Sequence, residues 1–65
     1  MKVFLNQQAC ELPEGATLAQ AVAISQLTPP FAAALNRQFV PNTQYAQTPL
    51  QEGDQIELIA PVVGG

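Results

Sequence analysis

The chain predicts an α+β fold: a mixed sheet packed on one main helix, with a flexible C-terminal tail. Three features of the 65 residues carry this expectation. Strand-like segments stand at both ends, one capped helical segment lies near the front, and Pro- and Gly-marked turns divide the rest into short pairs. Residues 1–60 are expected to form the domain and residues 61–65 the tail.

Lys2-Val3-Phe4-Leu5-Asn6 is β-branched and aromatic and reads as a strand. Asn6-Gln7-Gln8 turns it, and Ala9-Cys10-Glu11-Leu12 returns, so a β-hairpin opens the chain. Pro13-Glu14-Gly15 ends the hairpin. Thr17 then stands three residues before Gln20, the spacing of a capping box at a helix N-terminus. Leu18, Ala21 and Val22 form one apolar helix face, whereas Leu27 projects elsewhere, so the helix ends before Leu27 and Thr28-Pro29-Pro30 stops it. Phe31 to Leu35 is an apolar run of strand length, turned by Asn36-Arg37 into Gln38-Phe39-Val40. Pro41 to Gln47 has the composition of a turn or short helix. Glu52-Gly53-Asp54 turns sharply into Gln55–Ala60, the clearest alternating strand of the chain. Hairpin, helix, hairpin, irregular segment and strand is the order of a β-grasp, or ubiquitin-like, fold, in which the first and last strands pair at the centre of the sheet.

Composition narrows the function. The chain has one cysteine and no histidine, which excludes an intramolecular disulfide, a Cys-based zinc site and the usual nucleophile–base pairs. Lys2 and Arg37 are the only bases against Glu11, Glu14, Glu52, Asp54 and Glu57, a net charge of −3. Two scattered cations cannot neutralise a nucleic-acid backbone, so no nucleic-acid partner is expected, and an acidic domain is drawn instead to a basic protein surface. The apolar runs are far shorter than the roughly 20 residues that span a bilayer, so no membrane role and a cytoplasmic location are expected. Cys10 lacks a nearby cation and reads as a packing residue. Glu52, Asp54 and Glu57 do not converge as a hard-cation site requires and read as a solvated acidic face, so no metal is expected. Asn36 reads as a turn residue and Tyr45 as filler beneath the irregular segment.

The remaining candidate is the end of the sequence. Gly64-Gly65 presents a carboxylate with no side chain on either of the last two residues. Such a terminus suits entry into a narrow site on another protein, because a Cβ would obstruct backbone approach. From Pro61 the tail reaches about 15 Å at roughly 3.3 Å per residue. A terminal glycine pair arises by chance in about one chain in 200 at ordinary glycine usage, so the pair gains its weight from the β-grasp that precedes it.

Asn36 with Val40-Pro41, Tyr45-Ala46, Leu50-x-x-Gly53-Asp54-x-Ile56 and the terminal Gly64-Gly65 together resemble ThiS, the family of sulfur carrier proteins of thiamine biosynthesis. The resemblance covers essentially the whole chain, with Tyr45 standing where many relatives place a tryptophan. It implies a carrier that is not itself an enzyme. An E1-like partner would use ATP and Mg to adenylate the Gly65 carboxylate, a persulfide donor would supply sulfur for a Gly65 thiocarboxylate, and thiazole synthase would accept that sulfur. No cofactor would be bound by the carrier, and the chain itself would supply no catalytic residue. Val62, Val63 and Gly64 are the expected tail-docking residues. Phe4 and Ile59 are expected to form one exposed apolar patch beside Glu57 on the solvent side of the sheet, as a partner surface. Two alternatives stay open: the small subunit of molybdopterin synthase, also a diglycine thiocarboxylate carrier, and a TGS-like β-grasp binding module, which Leu12-Pro13-Glu14-Gly15-Ala16-Thr17-Leu18 resembles faintly.

Overall fold

The computed structural model describes residues 1–28 and 30–60. The expected tail, with Gly65 and the docking residues Val62, Val63 and Gly64, lies outside the described residues. Strands β1 (Lys2–Leu5) and β2 (Gln8–Glu11) form the first hairpin, with Val3 opposite Cys10 and Leu5 opposite Gln8. Its turn is two residues long, one shorter than the sequence suggests. Asn6 and Gln7 take positive φ angles of 50° and 71°. Two such residues in succession give the turn whose twist matches paired strands, and Gln8 is therefore already strand. The second hairpin repeats the device: β3 (Ala32–Leu35) and β4 (Gln38–Val40) flank Asn36 and Arg37 at φ 50° and 70°. The tetrad Leu-Asn-x-Gln occurs at both turns, as Leu5–Gln8 and Leu35–Gln38.

Helix α1 (Leu18–Ser25) starts at Thr17, whose backbone N–H donates to Gln20 Oε1 at 2.9 Å, the side-chain half of the expected capping box. It ends at Gln26, which takes the left-handed conformation at φ 60°, so Leu27 falls outside the helix as expected. A 3-10 helix (Asn42–Gln47) occupies the irregular segment, and β5 (Gln55–Ile59) completes the sheet. Two backbone bonds of 2.9 Å, Leu18 N–H to the Thr48 carbonyl and Leu50 N–H to the Ala16 carbonyl, tie the helix entrance to the segment leading into β5.

The strand order is β2-β1-β5-β3-β4, with β5 parallel to β1 and antiparallel to β3. This is the β-grasp arrangement expected from the element order, with first and last strands adjacent at the centre. The core lies on the helix side of the sheet: Val3, Leu18, Ala21, Ala33 and Ile56 are at most 1 % exposed, and Leu12, Ala16, Leu50 and Leu58 join them. Cys10 is half-buried and packs against this cluster, as does Tyr45, whose ring stacks on Phe31 with centroids 6.3 Å apart. Ala60, the last residue of the strand expected from the sequence, is exposed because the ladder stops at Ile59.

Candidate functional site

Strand β5 links the core to the tail, so the surface around it is the candidate site. Its side chains alternate: Ile56 and Leu58 are buried, while Gln55, Glu57 and Ile59 lie on the outer face, away from the helix. Register then decides what surrounds them. Ala34 sits opposite Glu57 on one side and Phe39 on the other, and Ala32 sits opposite Ile59. One row of the outer face therefore reads Phe39, Ala34, Glu57, and the next carries Ala32 and Ile59. The two alanines are too short to shield their neighbours, and Phe39 and Ile59 are 70 % and 59 % exposed. Large apolar side chains at that exposure, with small ones between them, make one apolar patch rather than isolated exposed hydrophobes.

Phe4 is not part of this patch. It does lie on the outer face, but its partner in β5 is Gln55, four residues from Ile59. Four residues of strand separate positions by about 13 Å, and Phe4 is half-buried. Alternation places both residues on one face, but it says nothing about register, and the parallel register here sets them apart. Phe39, which sequence reasoning left unassigned, takes the place expected of Phe4. The available signal was Phe39's position in the second hairpin: a two-residue turn pairs it with Ala34, on the same face as Glu57.

The turn asparagines hold β5 in place. Asn6 Oδ1 accepts the Leu58 N–H at 2.9 Å, and Asn6 Nδ2 donates to the Leu58 carbonyl at 3.3 Å. The side-chain amide thus continues the β1 ladder one step beyond the backbone, whose own last bond runs from Asn6 N–H to the Ile56 carbonyl at 2.8 Å. On the other flank Asn36 N–H donates to the Gln55 carbonyl at 2.7 Å, and Asn36 Oδ1 accepts the Gln55 N–H at 3.0 Å. Asn36 Nδ2 also donates to Asp54 Oδ1 at 3.1 Å. Asp54 in turn closes the turn before β5, its Oδ2 accepting the Gln51 N–H at 2.7 Å. Glu52 accepts the Lys2 N–H at 3.0 Å. Asp54 and Glu52 are thus occupied in building the turn, and Glu57 is the carboxylate left on the patch.

Between the two turn tips lies an open polar hollow of about 380 Å³, lined by Gln7, Asn36, Arg37, Gln55, Ile56 and Glu57. Its amides, one guanidinium and one carboxylate can form hydrogen bonds but offer no nucleophile. No group of three or more His, Cys, Asp or Glu side chains converges among the described residues. No helix among them is long and apolar enough to cross a membrane. The described residues thus place an apolar patch and a polar hollow side by side along β5.

Comparison with known proteins gives a consistent picture. The model of the ThiS family matches residues 2–65. The sulfur carrier protein ThiS of Escherichia coli (strain K12) is 36 % identical over 66 residues, with all of both chains covered. Among solved structures, the crystal structure of the thiamine biosynthesis protein ThiS from Geobacter metallireducens superposes with a TM-score of 0.81 over the whole of both chains. At 16 % identity that last likeness concerns the fold.

Proposed function

Because this chain belongs to the ThiS family, we propose that it is a sulfur carrier of thiamine biosynthesis and that its Gly65 carboxylate holds the sulfur. The observation that carries this reading is the extent of the family match, which runs through Gly64 and Gly65. A carboxylate is a poor electrophile and must be activated before sulfur can replace one of its oxygens. An E1-like enzyme would join it to AMP from ATP and Mg, releasing pyrophosphate. A persulfide sulfur would then displace AMP, and thiol cleavage of the resulting acyl persulfide would leave a thiocarboxylate for thiazole synthase to accept. The carrier supplies only the carboxylate and a surface that partners can recognise. The tail, residues 61–65, carries the carboxylate into the partner, with Val62, Val63 and Gly64 making the approach. The patch of Phe39 and Ile59 beside Glu57 holds the body of the carrier against the same partner.

Intact-mass spectrometry tests this directly. Incubation with the E1-like enzyme, ATP, Mg and a persulfide donor is expected to add about 16 Da, one oxygen replaced by sulfur, as acyl-transfer chemistry at an activated carboxylate requires. Removing Gly65 or extending the chain beyond it is expected to abolish the gain. A gain that persists in those variants, or that maps to Cys10, overturns the reading.

A further inference from the structure

The two hairpin turns share a feature that folding does not account for. In a two-residue turn with both φ angles positive, asparagine suits the first position and glycine the second. Asn6 and Asn36 follow this rule, but Gln7 and Arg37 hold the second positions, at φ 71° and 70°. A side chain there works against the preferred backbone conformation, and glycine would relieve it. Both side chains nevertheless line the same hollow of about 380 Å³, one from each hairpin, with Gln55 and Glu57 of β5. The Asn36 amide at its edge is taken up by Gln55 N–H and Asp54. Among the described residues, the side chains of Gln7, Arg37, Gln55 and Glu57 have no hydrogen-bond or ion-pair partner. Unpaired polar groups around one hollow, two of them held at strained positions, point to contact with another molecule.

We propose that this hollow orients the carrier on its activating enzyme: Arg37 receives a carboxylate side chain of that protein, the Gln7 and Gln55 amides hydrogen-bond the same segment, and Glu57 meets a basic side chain beside it. The identity of that partner rests on the sulfur-carrier reading. Charge selects the occupant. Arg37 is one of two bases against five carboxylates, and the other, Lys2, lies outside the hollow. A net charge of −3 draws the carrier to a basic surface without fixing how it lies there. One cation beside one carboxylate does fix it. A partner acid over Arg37 and a partner base over Glu57 match in a single orientation, and turning the carrier round sets like charges together. The planar guanidinium also suits a carboxylate, which accepts two parallel bonds. The hollow stands beside Gln55, the first residue of β5, whereas the tail follows the last, Ile59. Four residues of strand span about 13 Å, so contacts at the hollow govern how the carrier is held and not the reaction at Gly65.

Arg37→Gly and Gln7→Gly keep the turns and remove only the side chains. Each is expected to raise the thermal midpoint by about 4 °C, as relief of a left-handed backbone predicts for a domain of this size. Each is also expected to raise the KM of the activating enzyme for the carrier, about tenfold for Arg37→Gly and about threefold for Gln7→Gly, with the change in KM and not in kcat. Arg37→Glu is expected to raise KM further, and added salt to narrow the gap between wild type and Arg37→Gly. Equal KM in all four chains overturns the proposal. A KM that rises only together with a loss of thermal stability overturns it too, because the side chains then serve the fold. Tighter binding by Arg37→Glu also overturns it, by placing a base over the hollow. Sulfur mass separates this inference from the reading beneath it. Chains that all gain about 16 Da with equal KM sink the inference alone, whereas a wild type that gains no sulfur sinks both.

Discussion

At the scale of single residues, the two turn asparagines are the most demanding positions outside the core. Each takes a positive φ that few side chains tolerate, and each uses its amide as a substitute for strand backbone beside β5. Replacing Asn6 or Asn36 with alanine loses both, and a cost of about 1–3 kcal/mol in urea unfolding is expected for each. Glycine at the same positions keeps the turn and loses only the side-chain bonds, so the glycine variants are expected to fall between alanine and wild type. Composition alone marks these residues as turn formers. The bonds to Leu58 and Gln55 were hidden because they join residues 52 and 19 positions apart. The recurrence of Leu-Asn-x-Gln was the one local sign that both turns do the same job. Gly64 makes the opposite demand. Gly64→Val, beyond the last strand in sequence, is expected to leave thermal stability within about 0.5 kcal/mol, while adenylation by the E1-like enzyme falls sharply.

At the scale of elements, hydrophobic patterning identified each strand and the helix to within a residue or two, because a small domain with one buried face leaves each element a single way to turn its apolar side inward. Thr17-x-x-Gln20 located the helix start, and Leu27 its end. Patterning could not supply the offset between β1 and β5. Alternation has a period of two, so any even shift keeps the same side chains outside, and the distance between Phe4 and Ile59 depends on that shift. The patch as observed makes its own prediction. Phe39→Ser and Ile59→Ser are expected to weaken binding to the activating enzyme in a titration, while each costs less stability than Leu18→Ala, a core truncation expected to cost roughly 2–5 kcal/mol. Phe4→Ser is expected to affect binding less than either. If both outer-face variants bind as wild type does, the docking role belongs elsewhere.

At the scale of the whole molecule, β5 is the member on which the sheet depends. Without it the two hairpins share no ladder, since β1 and β3 each pair with β5 and not with one another. Hydrogen exchange is expected to show this: the amides of Ile56 and Leu58 should exchange only through global unfolding, and those of the edge strands β2 and β4 earlier. The same placement has a mechanical side. A partner that pulls on the chain beyond Ala60 while holding the body applies tension along the axis of β5. Ladders on both flanks lie along that axis, four residue pairs with β3 and two with β1, extended by the Asn6 and Asn36 amides. Their bonds are loaded together in shear and cannot be peeled open one after another. The handle by which the protein is gripped is thereby fastened to its strongest seam, and traction on the tail reaches the centre of the sheet without opening an edge.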